Sequence, residues 1–236
     1  MVTRTQLISA MLSIDNIDDN IYRSEGPHIG GIVGPNRLFG GYIAAQVYEA
    51  VRNYKNKNND KNVIFSMHYN FVSADRQHIS QKTTLSCECS CFLEYTKYGN
   101  NNSNITIKQT ENGLRPVHFM FSPGPGDHRV MYYARISPEC VDYIREDGGM
   151  VAVVALSDFF VLQSVTNAIK EAGMKMTTGA SLHHKLYFHQ EKVEASQWFL
   201  VETRTEIATG NKAKIFGGVF DSNKECIVSF IQEAYV

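Results

Sequence analysis

The sequence lacks a surplus of charge of either sign, and this excludes one large class of function. Its 236 residues hold 23 Lys and Arg against 24 Asp and Glu, which gives a formal net charge of -1. A protein that binds nucleic acid through a broadly basic surface needs an excess of positive charge, because that surface must neutralise phosphates. We therefore expect no nucleic-acid partner.

Long hydrophobic runs are also missing. The longest covers residues 150–156, far below the roughly 20 apolar residues that a membrane-spanning helix requires. The N-terminal stretch MVTRTQLISAMLSIDN has no continuous apolar segment of the kind that marks a secretory signal peptide. These features predict a soluble, intracellular chain without a membrane span.

Cysteine is scarce, and the common metal and nucleophile motifs are absent. The five cysteines show no CxxC spacing, and an odd number suits a reducing compartment. There is no GxSxG, P-loop, HExxH or dinucleotide-binding glycine fingerprint. His183, His184 and His189 form a cluster, but the first two point to opposite faces of a strand, and His183 lies roughly 20 Å from His189. We predict neither a metal nor a cofactor, and we interpret these histidines as polar-face or interface residues.

The two halves of the chain show the same order of predicted elements, a helix followed by strands. In the first half, Gly40 and Gly41 open an apolar segment at 42–51 with helical spacing. Residues 53–62, rich in Asn and Lys, are predicted to form a solvated loop. A strand pattern follows at 65–71, where aromatic residues and Met alternate with polar ones.

The second half repeats this order. A helical stripe at 161–172 ends at Gly173, and strands are predicted at 180–188, 198–203, 213–220 and 226–235. One helix followed by antiparallel strands, repeated, predicts an α+β fold of two helix-wrapping antiparallel sheets, a double hotdog in one chain. We interpret segment 122–150, which is rich in Pro and Gly at its start, as the connection, and we place the domains at 1–125 and 126–236.

Three polar residues of the second half interrupt apolar surroundings. Asp158 lies in VVALSDFFVL, Ser181 begins a predicted strand, and Gln232 lies on an apolar face of the last strand. Burying an ionised carboxylate is costly unless donors surround it. Each residue also has a structural interpretation: a helix N-cap for Asp158, a solvated hydroxyl for Ser181 and a buried hydrogen bond for Gln232. Together the three groups could hold a water molecule.

Short segments in the right order resemble one family. The segments LSDFF, ASLHHKLYFH and SFIQEAY are similar to the second half of the acyl-CoA thioesterase II (TesB-like) family, which includes peroxisomal acyl-CoA thioesterases. YRSEG, NRLFGGYIAAQ and FSMHYNFVSAD resemble that family's first half. The resemblance implies a double hotdog that hydrolyses fatty acyl-CoA to free fatty acid and CoA. It also implies acyl-CoA as the partner, and assembly into a homo-oligomer.

The resemblance also assigns roles residue by residue. The family's water-activating Asp, Ser or Thr, and Gln fall on Asp158, Ser181 and Gln232, which are the expected catalytic residues. The expected substrate contacts are two backbone donors, three aromatic walls and one histidine on the face of Ser181: Gly40, Gly41, Tyr42, Phe159, Phe160 and His183. The family has an acidic residue in place of His183 and Gln in place of Tyr42.

Two other functions stay open. The chain could be a non-catalytic acyl-CoA-binding hotdog protein, or a hotdog hydratase or dehydratase of enoyl-CoA that uses His183 as its catalytic group. We expect an intracellular location, either cytosolic or peroxisomal, although the C-terminal residues are not a peroxisomal signal of the Ser-Lys-Leu type.

Overall fold

The computed structural model describes residues 12–18, 21–24, 39–71, 93–96, 128–141, 144 and 149–236. Four helices lie within these ranges: α1 (Gly40–Lys57), α2 (Pro138–Val141), α3 (Gly149–Leu156) and α4 (Val161–Glu171). Nine strands accompany them: β1 (Ile14–Asp18), β2 (Ile21–Ser24), β3 (Ser66–Asn70), β4 (Leu93–Thr96), β5 (Arg129–Ile136), β6 (Ala180–Phe188), β7 (Phe199–Thr209), β8 (Lys212–Phe220) and β9 (Cys226–Tyr235).

Seven of the strands form one antiparallel sheet in the order β3-β6-β9-β8-β7-β5-β4. The five central strands all come from the second half of the chain. The two outer ones, β3 and β4, come from the first half, so each end of the sheet is continued by a strand from the other part of the sequence. β1 and β2 pair separately as a hairpin.

The core lies between this sheet and the helices. α4 packs on β5, β7 and β8, while α3 packs against α1 and β9. All eight residues of α3 are buried, which is typical of a helix that is apolar on every side. By length and composition alone, Gly149–Glu171 would suffice to cross a membrane, but 78% of its apolar window is buried inside the protein. Since a core helix has the same properties, this segment is weak evidence for a span.

Several predicted elements are confirmed. Strands β6 and β9 have the bounds that the alternation predicted, and Gly173, with a φ of 76°, follows the end of α4. Asp221 closes the turn between the last two predicted strands, because its carboxylate accepts the backbone N–H groups of Asn223 and Glu225 at 2.9 Å.

Other predictions are wrong. The predicted loop at 53–62 is helical as far as Lys57, and the side chain of Asn58 donates to the Tyr54 carbonyl at 2.8 Å where the helix ends. Two lysines in the last turn favour this extension, because their charge suits the C-terminal end of the helix dipole. Phe65 lies outside β3 and is 72% exposed.

The segment at 122–150 is also more than a connection, since it contains strand β5, whose burial alternates along its whole length. The apolar segments on either side of Asn112 and Gly113 predict a hairpin around residues 104–121. That hairpin and the domain boundary at 125–126 both lie outside the described residues.

Candidate active site

The site is centred on the turn between α3 and α4. α3 ends at Leu156, and Phe160, with a φ of 52°, turns the chain into α4. The N-cap of α4 is Phe160, and no side chain caps that helix. The alternative interpretation of Asp158 as the cap of the helix that follows it is therefore wrong.

Asp158, Ser181 and Gln232 are in direct contact, although 23 and 74 residues separate the other two from Asp158. Nε2 of Gln232 donates to Oδ1 of Asp158 at 2.8 Å and to Oγ of Ser181 at 2.6 Å. Oγ of Ser181 donates to the same carboxylate oxygen at 3.3 Å. The structure thus brings together the three side chains that sequence reasoning singled out; their catalytic roles stay a prediction.

A third hydrogen-bond partner of Asp158 comes from the first half of the chain. The backbone N–H of Gly41, in the first turn of α1, donates to Oδ2 of Asp158 at 2.8 Å. The N-cap of α1 is Phe39, whose side chain makes no capping bond. Because free N–H groups and the helix dipole make the start of a helix positive, the carboxylate stabilises α1 from a distant part of the sequence.

The two glycines allow this close approach. A Cβ atom on Gly40 would lie 2.8 Å from Oδ2 of Asp158, and one on Gly41 would lie 2.5 Å from the carbonyl oxygen of Ala155. Any side chain at either position would push the start of α1 away from the end of α3. Since Gly41 already donates to Asp158, its N–H is not available as one of the two expected backbone donors to the substrate. The N–H of Gly40 donates to no acceptor within the described residues.

A β-bulge decides which side chains of β6 face the site. The pairing of β6 with β9 shifts by one residue between Ser181 and His183, so Ser181 lies opposite Ala234 and His184 lies opposite Gln232. Ser181 and His184 therefore share the inner face. The prediction that His183 shares the face of Ser181 is wrong. His183 is exposed, and its Nδ1 lies 2.7 Å from Oδ1 of Asn70.

The protein environment raises the pKa of Asp158 from 3.8 to about 6. Burial away from water is the main cause, because it disfavours the charged form; the hydrogen bonds from Gln232, Gly41 and Ser181 oppose it. Only 8% of the residue is exposed. The carboxyl group is thus ionised at neutral pH, yet its proton affinity is far higher than that of an ordinary aspartate. These are properties of a general base.

His184 adds a second buried polar group next to these residues. It is 1% exposed, and its Nε2 lies 2.8 Å from Oγ of Ser157, the residue before Asp158. Burial lowers the imidazole pKa to about 3, so the ring is neutral, although Gln232 raises that pKa in part. The interpretation of this histidine as a polar-face or interface residue is wrong.

Tyr132 is a residue that sequence reasoning missed. It lies on β5, is fully buried, and its hydroxyl is within donating distance of two carbonyls in the turn, 3.1 Å from Leu156 and 2.8 Å from Phe159. It therefore fixes the turn that carries Asp158. The alternating pattern of β5 could have identified a strand here, but no local signal links it to Asp158.

The predicted aromatic walls are packed beside the carboxylate. Phe159 is 1% exposed and its ring centroid lies 4.5 Å from that of Phe39, while Phe160 packs on Tyr132 at 5.4 Å. Tyr42, on α1, is 3% exposed. Within the described residues, no group of three or more His, Cys, Asp or Glu side chains is arranged to hold a metal ion.

The antiparallel sheet with its core helices places the chain in the class of hotdog proteins, and comparisons with known proteins agree. Residues 100–236 match the sequence family described as "Acyl-CoA thioesterase C-terminal domain". The chain therefore belongs to this acyl-CoA thioesterase family, whose members are thioester hydrolases. The search of curated proteins found no match.

Solved structures support the fold. An acyl-CoA thioesterase II, TesB2, from Mycobacterium marinum is 18% identical with a TM-score of 0.59, over 97% of this chain and 96% of that one. A tesB protein from Mycobacterium avium subsp. paratuberculosis is 13% identical with a TM-score of 0.64, over 97% of both chains. A protein of unknown function with a hotdog fold from Alicyclobacillus acidocaldarius is also 13% identical with a TM-score of 0.64, over 97% of both chains. The predicted double hotdog is thereby confirmed.

Proposed function

We propose that the protein hydrolyses fatty acyl-CoA thioesters and that Asp158 activates the attacking water. The observation that carries this proposal is the buried carboxylate with three neutral donors, Gly41 N–H, Ser181 and Gln232, at the start of a helix. These donors keep the carboxylate ionised and in a fixed orientation without supplying a positive charge that would lower its basicity.

The reaction needs one proton acceptor and no covalent intermediate. Oδ2 of Asp158 accepts one hydrogen bond and keeps a second lone pair, which can orient a water molecule. The water oxygen attacks the thioester carbonyl carbon while Asp158 takes its proton. The carbon–sulfur bond then breaks, and the proton held by Asp158 passes to the CoA sulfur, which gives fatty acid and CoA.

The oxyanion that forms on the carbonyl requires a donor close to Asp158. The N–H of Gly40 fits this role because it begins α1, next to the carboxylate, and donates to no other group in the described part of the chain. Of the two expected backbone donors, Gly40 is thus the one that we propose. A helix N-terminus stabilises such a developing negative charge.

An apolar acyl chain suits the surroundings of the carboxylate. Phe39, Phe71 and Phe159 lie around the start of α1, and the first two are only partly buried. The hydratase alternative is not favoured, because His183, its expected catalytic residue, faces away from Ser181. Assembly beyond one chain and an intracellular location stay proposals, which sedimentation and imaging of the tagged protein can test.

The test is CoA release from acyl-CoAs of increasing chain length, followed with a thiol reagent, alongside binding of the same acyl-CoAs. We expect the wild type to release CoA, and Asp158→Asn to bind acyl-CoA with little release. Tight binding by the wild type without release would overturn hydrolysis in favour of a binding protein. Loss of enoyl-CoA absorbance without thiol release would instead indicate a hydratase.

A further inference from the structure

Two buried polar atoms next to Asp158 have no hydrogen-bond partner. They are Nδ1 of His184 and Oε1 of Gln232. The two residues are 1% and 0% exposed, and they lie directly opposite each other across β6 and β9 on the same face of the sheet. Leaving two buried polar atoms unpaired is costly, so an arrangement that satisfies both is favoured.

The two side chains are close enough for a hydrogen bond from Gln232 to raise the His184 pKa, although Nδ1 and Oε1 are not aligned as a hydrogen-bonded pair in this structure. A small rotation of either side chain would align them, and the position of one proton then decides whether the two atoms can pair. If the imidazole proton is on Nε2, it is donated to Oγ of Ser157, whose own proton goes to the Val154 carbonyl at 2.7 Å. Nδ1 and Oε1 are then both acceptors, and both stay unsatisfied. If the proton is on Nδ1, it can be donated to Oε1, while the Ser157 hydroxyl donates to Nε2. The second arrangement leaves fewer buried polar atoms unpaired.

We propose that His184 is a positioning residue that carries its proton on Nδ1 and donates it to Oε1 of Gln232. This bond holds the amide so that Nε2, and not the oxygen, faces Asp158 and Ser181. A reversed amide would place an oxygen against the carboxylate and remove both bonds that Nε2 now donates. The role in turnover rests on the proposed hydrolysis, whereas the proton position does not.

The neutral state of His184 makes this arrangement stable over the working pH range. Because its pKa is lowered to about 3, the ring keeps one proton from mildly acidic to alkaline pH. The ring is also held in place, with its centroid 5.5 Å from that of Phe230 and 6.2 Å from that of Tyr69.

The first experiment measures the proton position in the wild type. Long-range ¹H–¹⁵N correlation spectra of the wild type, assigned by comparison with His184→Phe, distinguish a protonated Nδ1 from a protonated Nε2. We expect Nδ1 to carry the proton at pH 7. A proton on Nε2 would overturn the proposal, whatever the variants do.

The second experiment compares His184→Phe with His184→Asn. Phe keeps the aromatic packing but has no donor, whereas the Asn amide can place a donor close to the position of Nδ1. We expect His184→Phe to lower kcat about 10-fold with little change in KM, and His184→Asn to recover most of the loss. His189→Phe, an exposed histidine just after the same strand, is the control. Wild-type kcat in a folded His184→Phe, or no recovery in a folded His184→Asn, would overturn the proposal.

A third measurement separates this proposal from the hydrolysis itself. The Gln232 hydrogen bond lowers the Asp158 pKa, so a released amide should let that pKa rise above about 6. Carboxyl ¹³C titration measures this rise without any turnover. If the wild type releases no CoA but the pKa rises in His184→Phe, the proposed function fails and the positioning role stands. An unchanged pKa in the folded variant would overturn the positioning role.

Discussion

Asp158→Asn separates the chemical role of the carboxylate from its structural one. Asn has nearly the same size and keeps one oxygen that can accept the Gly41 N–H, so the start of α1 can still be capped. What is lost is the proton acceptor. Because removing a general base typically lowers the rate by about 10²–10⁴-fold, we expect CoA release to fall by that factor. Binding of acyl-CoA should persist.

The stability of the same variant follows from the raised pKa. A folded-state pKa of about 6 against 3.8 means that ionising Asp158 destabilises the fold by about 3 kcal/mol at neutral pH. As the pH rises from about 4 to about 6, the free energy of unfolding of the wild type should fall by this amount, because the folded state holds the proton more tightly than the unfolded chain does. Asn does not ionise, so the free energy of unfolding of the variant, relative to wild type, should increase by about 3 kcal/mol over this range.

A second effect on the stability of Asp158→Asn is the loss of a hydrogen bond. When the Asn oxygen accepts the Gly41 N–H, its amide nitrogen takes the position of Oδ1 and faces Ser181 and Gln232. The Ser181 hydroxyl can turn to accept from that nitrogen, whereas the Gln232 donor loses its bond to residue 158, at a cost of about 1–3 kcal/mol. At pH 7 the variant should therefore be as stable as wild type or up to about 2 kcal/mol more stable.

Urea unfolding at several pH values, together with the CoA-release assay, tests both parts of this prediction. The control is Glu49→Gln. It removes a different buried carboxylate, which lies on α1 and is paired with Arg52 at 2.8 Å. That variant should be less stable than wild type but should still release CoA. Full CoA release by Asp158→Asn would refute the base role, and a pH-independent stability difference would refute the raised pKa.

Further predictions follow from the same geometry. The rate should fall tenfold per pH unit below about pH 6, because protonated Asp158 cannot accept a proton; a flat pH–rate profile would contradict this. His183→Asp should leave that profile unchanged, since this side chain faces away from Ser181. Gly41→Ala should destabilise the protein by more than about 2 kcal/mol in urea unfolding, because its Cβ would meet Ala155. Tyr132→Phe should lower the calorimetric Tm by about 2–6 °C, through the lost hydroxyl bonds to the turn.

Regular strands were the part of the fold that the sequence could predict. In β9 the buried positions alternate from Val228 to the end of the strand, so the inward direction of Gln232 follows from a period of two. α4 was predictable for a similar reason, since its apolar stripe ends at a glycine that can adopt the left-handed conformation.

The bulge in β6 shows where such reasoning stops. Leu182 is the extra residue, and as an apolar residue between polar ones it fits the regular alternation. Nothing in the letters SLHH marks the shift, which depends on pairing with β9. One unmarked residue was enough to exchange the faces expected of His183 and His184, because side chains alternate with a period of two.

Contacts between distant segments were also beyond sequence reasoning. The resemblance to the thioesterase family supplied Asp158, Ser181 and Gln232, but not the use of the Gly41 N–H, which lies 117 residues before Asp158. Gly40 and Gly41 were identified as glycines that permit close approach, yet the approaching group was expected to be substrate. In the structure that group is the carboxylate of Asp158. It accepts the N–H of Gly41, and it lies 2.8 Å from where a Cβ atom of residue 40 would be.

This contact makes the site a product of both halves of the chain. Asp158, Ser181 and Gln232 all lie within residues 100–236, whereas the N–H groups that begin α1 lie outside them. If the hydrogen bond from the Gly41 N–H were lost while Asp158 stayed buried, the opposition to the burial effect would weaken, and the carboxyl pKa would rise further toward neutrality. The first half therefore does more than extend the sheet: its helix N-terminus helps keep the base ionised at the pH where it must accept a proton.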